Sequence, residues 1–264
     1  MEQVEVDGLR IAFQRAGTGP PLVLLHGGFS DSRAWRRQLE DLSDEFTVVA
    51  WDAPGCGRSS DPPETFRLPD YADCLAHFVD ATGLGTPHVG GLSFGGGLAL
   101  ELYRRHPSAP RSLVLASAYA GWAGSLPQQE VQARLERALR DAQRPPPEWV
   151  DTYLPTFFTD DVPQEVADET VAMMLDTRPG GMIPMLRGFA EADLREVLPR
   201  IAVPTLLLYG GADVRSPRSV AEELRARIPA AQLVVMPGVG HVAQMEAPDV
   251  FNAHVRAFLR SVEG

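Results

Sequence analysis

Hydrophobic and polar positions alternate between two periods along the first 117 residues. Short apolar runs stand at Pro21–Leu25, Phe46–Ala50, His88–Gly90 and Leu113–Ala116. Unbroken runs of this length fit strands covered on both faces, as in a parallel sheet flanked by helices. Ahead of them, Val4–Val6 and Leu9–Gln14 flank Asp7-Gly8, a dipeptide that predicts a hairpin turn. Between the runs the spacing is helical: Tyr71, Leu75, Phe78, Val79 and Thr82 share one face of a 3.6-residue repeat. A second helix over Gly95–Arg105 ends in Arg104-Arg105-His106-Pro107, where cations favour the last turn and proline stops the next. The alternation predicts an α/β fold with a mainly parallel sheet.

Residues 120–190 have no strand pattern. Pro145-Pro146-Pro147 interrupts them, and Met173, Met174, Met182 and Met185 cluster there. Val131, Leu135, Ala138, Leu139 and Ala142 predict one amphipathic helix, and Val166–Leu175 another. Beyond Pro199 the alternation resumes. Thr205–Tyr209 and Gln232–Met236 predict strands. Ser216-Pro217 suits a helix opening, with serine as N-cap and proline first inside. Phe251, Val255, Phe258, Leu259 and Val262 stripe a final helix. The expectation is a core built from residues 1–119 and 191–264, interrupted by a helical cap at 120–190.

Composition narrows the chemistry. The chain has 264 residues, of which 44% are hydrophobic, enough for a sizeable core without staples. Its net charge of −11 argues against nucleic acid or an anionic membrane as partner. All 24 basic residues are arginine. Without lysine there is no Schiff base, no anchored pyridoxal phosphate and no P-loop. Cys56 and Cys74 are too few for a disulfide framework or a structural zinc site. No apolar run reaches 18 residues, and the acidic MEQVEVDGLR start lacks signal-peptide features. A reduced, cytoplasmic protein is expected, and a homo-oligomer is compatible with the sequence.

The strongest motif is Gly91-Leu92-Ser93-Phe94-Gly95, placed between a predicted strand and a predicted helix. A serine there sits on a sharp turn facing the helix's free N–H groups. It needs a base. His77, His88, His106 and His254 lie in or at the ends of predicted elements. His241 instead follows Pro237-Gly238-Val239-Gly240 at the sheet's carboxyl edge, where a base can reach the serine. Asp213, after Gly210-Gly211-Ala212, is the acid that would hold the imidazole. Oxyanion donors are expected from the N–H groups of Phe94 and Gly28, with Phe29 second to Gly28 and His26 bracing the loop. Tyr119, Trp122, Trp149, Phe157, Phe158 and the methionines offer an apolar lining. Of these Tyr119 and Trp122, together with Phe29, are the expected substrate contacts. Arg178 and Arg187 are candidates for a substrate carboxylate.

These marks resemble the α/β-hydrolase fold family in its serine-triad branch: His26-Gly27-Gly28, Asp52-Ala53-Pro54-Gly55-Cys56-Gly57-Arg58-Ser59, GLSFGG at 91–96, Asp213 and GVGH at 238–241. The resemblance implies an eight-stranded sheet, a helical cap after the sixth strand, and a structural Asp52. Ser93 stands where halogenated-alkane and epoxide enzymes carry Asp, and hydroxynitrile lyases of the fold need a lysine. Leu92 precedes the serine, where many lipases have His and carbon–carbon hydrolases Asn. The likeness is greatest to small esterases and enol-lactonases such as 3-oxoadipate enol-lactonase. It implies cleavage of an ester or lactone of a small molecule through an acyl-enzyme, with no cofactor and no metal. The alternatives are a carbon–carbon hydrolase or perhydrolase with the same triad, and a ligand receptor that does not turn over.

Overall fold

The computed structural model describes residues 1–264. Eight strands form one sheet: β1 (Glu2–Val6), β2 (Leu9–Ala16), β3 (Pro21–Leu25), β4 (Thr47–Trp51), β5 (His88–Leu92), β6 (Ser112–Ala116), β7 (Thr205–Gly210) and β8 (Gln232–Met236). Their order is β1-β2-β4-β3-β5-β6-β7-β8. β2 runs antiparallel to β1 and β4, and every other pair is parallel. The hairpin turn is as the dipeptide predicts: Asp7 and Gly8 both take positive φ, and Val6 pairs with Leu9. β5, β6 and β7 are buried along their whole length, which is why they read as unbroken apolar runs.

Helices α1 (Arg36–Asp41), α2 (Leu68–Ala81) and α3 (Phe94–Arg105) connect the strands as far as β6. From β3 the chain steps outward to β4, then returns past β3 to β5. Right-handed crossovers in opposite directions put α1 on one face, and α2 packed with α3 on the other. The reversal opens a crevice at the carboxyl ends of β3 and β5, where a doubly wound sheet holds its ligand.

Between β6 and β7 lie α4 (Gln128–Ala142), three short 3₁₀ turns across residues 146–156, α5 (Gln164–Leu175) and α6 (Pro179–Glu191). Buried side chains of this segment, Trp149, Met173 and Phe189 among them, join one continuous apolar cluster with the sheet. The pattern predicts α4 and α5 but hides α6. That helix carries Gly180, Gly181, Pro184 and Gly188, all poor helix formers. One of these glycines is required by contact: a Cβ on Gly181 would stand 1.9 Å from the Gly55 carbonyl oxygen. After β7 come α7 (Arg218–Arg227), α8 (Ala243–Glu246) and α9 (Pro248–Glu263), the last packed on α1. No helix is long and apolar enough to cross a membrane.

One boundary differs for a physical reason. α7 starts at Arg218 with extended Pro217 as its cap, so Ser216 is not the N-cap. The Ser216 N–H donates to Asp213 Oδ1 at 2.9 Å and its hydroxyl to the Ala118 carbonyl at 3.3 Å. A long-range use of Ser216 replaces the local one.

Candidate active site

Ser93 occupies the turn between β5 and α3 with φ 52° and ψ −109°. Such a conformation costs on the order of 1–3 kcal/mol for a residue with a side chain. It is held from both sides. Ser93 N–H donates to the Ala116 carbonyl of β6 at 2.9 Å. A Cβ on Gly91 would lie 2.2 Å from the Gly95 carbonyl oxygen, and one on Gly95 2.2 Å from that of Leu25. The two glycines are therefore dictated by backbone crowding. Phe94 opens α3, so its N–H has no helical acceptor. Across the crevice, the Gly28 and Phe29 N–H groups are also without protein acceptors, and Gly28 faces open space.

His26 braces that loop. Its Nε2 accepts from Ala53 N–H at 3.1 Å, so Nδ1 carries the proton and donates to the Gly27 carbonyl at 2.7 Å. Asp52 organises the next loop, accepting from Ser32 N–H and Arg58 N–H, each at 2.8 Å. Both match the roles expected of them.

Asp213 and His241 come from the loops after β7 and β8 and are buried together. Asp213 Oδ2 accepts from His241 Nδ1 at 2.8 Å, while Oδ1 accepts from the Arg215 and Ser216 N–H groups at 2.8 and 2.9 Å. With its proton on Nδ1, His241 is left with Nε2 as an acceptor. The Ser93 hydroxyl makes no hydrogen bond, but Ser93 and His241 line one cavity. Burial raises the Asp213 carboxyl, yet the His241 charge and hydrogen bond and the Ser216 N–H outweigh it and leave it below its ordinary value. Burial lowers the His241 imidazole below its ordinary value. Asp213 opposes that shift, and Arg215 and Arg134 add to it. A carboxylate beside an imidazole would by itself move it upward; the buried setting and the two cations reverse that direction.

The cavity has about 670 Å³ of space, mouth included, and eleven of its eighteen lining residues are hydrophobic. Phe29 and Trp122 line it, as do Phe157, Met173 and Met185. Tyr119 does not, which corrects its assignment as a substrate contact. Its hydroxyl is spent on the Arg215 carbonyl and its ring packs edge-on against Phe189. Trp149 packs at a tilt against Phe29, ring centres 5.4 Å apart, instead of reaching the cavity, and Phe158 also stays outside it. Arg178 is committed to Asp61 and to the Gly57 and Ser59 carbonyls, and Arg187 lies elsewhere on α6, so neither reaches the cavity. The arginine that does is Arg215. Its only signal in the sequence is its place two residues after Asp213. His77, His88 and His106 pair with Asp7, Glu263 and Asp73, away from the cavity.

The His241 loop is tied to the helical segment. The Phe157 carbonyl accepts from both His241 N–H at 2.8 Å and Val242 N–H at 3.2 Å. Glu246 accepts from Gly240 N–H at 2.8 Å and from the N–H and hydroxyl of Thr159. The Phe157 ring stacks on the imidazole at 6.2 Å.

The strand order, the Ser93 turn and the crevice define an α/β-hydrolase fold. The chain belongs to the alpha/beta hydrolase family, whose model matches residues 22–254. A thermophilic esterase from Thermogutta terrifontis, solved with malate bound, superposes with a TM-score of 0.93 at 30% identity, covering all of both chains. The enol-lactonase from Burkholderia xenovorans superposes with a TM-score of 0.88 at 23% identity over 98% of this chain and all of that one, a likeness of fold. In sequence, the dihydrolipoyllysine-residue acetyltransferase component of the acetoin cleaving system from Cupriavidus necator is 30% identical over 97% of this chain and 68% of that protein.

Proposed function

We propose that the protein is a serine hydrolase of carboxylic esters or lactones of small molecules. Ser93 is the nucleophile, His241 the base and Asp213 the acid that orients it. The observation that carries this reading is the buried Asp213–His241 hydrogen bond, opening on the cavity that Ser93 lines. His241 Nε2 takes the hydroxyl proton as Ser93 Oγ attacks the carbonyl carbon. The Phe94 and Gly28 N–H groups receive the negative charge on the carbonyl oxygen. His241 then protonates the departing alkoxide, and water, deprotonated by His241, releases the acid from Ser93. Apart from the hydrolytic water, every step uses groups of the chain itself. Residues 120–190 act as the cap, with Trp122 and Phe29 contacting substrate. The Thermogutta esterase supports ester cleavage. The acetyltransferase relative supports a second reading, in which the acyl group passes to an acceptor other than water.

A fluorophosphonate should label wild-type protein at Ser93, and a panel of aryl esters and lactones should give many turnovers per chain. Ser93→Ala should abolish both, with a loss of many orders of magnitude and an unchanged fold. Residual activity within tenfold of wild type, or a single equivalent of product across the whole panel, overturns the proposal.

A further inference from the structure

The cavity contains one arginine that the reaction above does not use. Arg215 has no carboxylate partner, whereas nearby Arg134 pairs with Glu130 at 2.5 Å and Arg137 with Asp141 at 3.8 Å. Asp213, two residues earlier, has both oxygens committed to His241 and to two backbone N–H groups. One guanidinium N–H donates to Thr156 Oγ1 at 2.9 Å; the other four have no protein acceptor. The guanidinium lies 4.9 Å from the centre of the Phe157 ring, the same ring that stacks on His241. Burial lowers its proton affinity, the mark of a cation short of compensation. The backbone is pinned independently, its carbonyl accepting from Tyr119 and from Arg134, the latter at 3.1 Å.

We propose that Arg215 binds a free carboxylate on the substrate, so that the preferred substrates are half-acids: esters or lactones that also carry a carboxylate. The inference rests on Ser93 being the nucleophile of an ester hydrolase. A planar guanidinium with free N–H donors matches a carboxylate in a forked pair. One positive charge in a mainly apolar cavity balances a monoanion and leaves a phosphate dianion half compensated. At a net charge of −11 the molecule as a whole repels anions, so a local cation is what gives a carboxylate a place to bind.

The test compares matched substrates. Para-nitrophenyl hydrogen glutarate against para-nitrophenyl valerate places the carboxylate on the acyl side. 3-Acetoxypropionate against 3-acetoxypropionamide places it on the alcohol side. In one pair or the other, wild-type kcat/KM should favour the anion by roughly tenfold or more, the scale of one charge-assisted contact. Arg215→Met should bring that ratio to about one, and Arg215→Lys should keep part of it. A purely structural Arg215 would lower both members of a pair alike and leave the ratio unchanged, which overturns the proposal. So does an equal wild-type rate within both pairs. Should the variants not fold, inhibition of wild-type valerate hydrolysis decides: competition by glutarate but not by glutaramide or inorganic phosphate supports the proposal, and equal or absent competition overturns it. Failure of the ester-hydrolase reading is distinguishable, because wild type would then turn over neither member of any pair.

Discussion

The Ser93 turn and the helical segment between β6 and β7 both line the cavity, but different forces hold them. The turn is locked by backbone: a hydrogen bond to β6, and glycines pressed against the Gly95 and Leu25 carbonyls. The segment is held by side chains. Methionines and aromatics pack it inward, and ion pairs such as Arg36–Glu169 at 2.6 Å and Arg33–Asp176 at 2.7 Å tie its rim to the core. Half-exposed pairs like these contribute little, so the packing carries the attachment. Backbone crowding leaves no room for adjustment, whereas methionine packing adapts. In the reading proposed above, the first would hold the nucleophile in place and the second would admit a range of acyl groups. His241 belongs to both regions, since its imidazole meets Asp213 while its N–H bonds the Phe157 carbonyl.

That division can be broken at several points. The largest effect is expected at the rigid side. Asp213→Asn should cut kcat by about 10⁴, because an amide permits the wrong imidazole tautomer. Steady-state rates with a near-normal value would show that another group holds His241. Next comes the joint between the regions. Glu246→Gln puts an NH₂ against either the Gly240 or the Thr159 N–H, and should lower kcat about tenfold on short and long esters alike, with KM little changed. An effect confined to long esters would place Glu246 with the cap packing instead.

Smaller effects are expected on the adaptable side. Trp122→Ala should reorder the preference among acyl chains while sparing a small acetate ester. Tyr119→Phe keeps the ring and should leave the order unchanged, because Arg134 still holds the Arg215 carbonyl; a reordering would show that the Tyr119 hydroxyl is needed to hold Arg215 at the cavity. The smallest change is in the pH profile. If His241 is the base proposed above, only its neutral form accepts the Ser93 proton; its proton affinity is lowered, so activity should persist as pH falls, with the acid midpoint of kcat/KM below 6.5. Arg215→Met removes a nearby positive charge and should move that midpoint upward. A wild-type midpoint above 6.5 would mean that Asp213 outweighs burial.

The strands and the Ser93 turn were legible because their causes are local in sequence. Fully covered strands require unbroken apolar runs, and a sharp strand-to-helix turn requires glycines at 91 and 95. The same local causes mark the loops that carry Asp213 and His241. The helical segment was legible only as far as its amphipathic period. α6 has glycines and prolines where a helix is disfavoured; its buried Met182, Met185, Leu186 and Phe189 pack it into the core, and Gly181 is required by the approach to Gly55, 126 residues away in the chain. Which aromatics face the cavity follows from packing alone, so Phe157 lines it while Tyr119 turns to the Arg215 carbonyl. The direction of the His241 shift and the unpaired state of Arg215 have the same origin. Burial and charge pairing depend on which distant groups meet, so only the tertiary structure decides them.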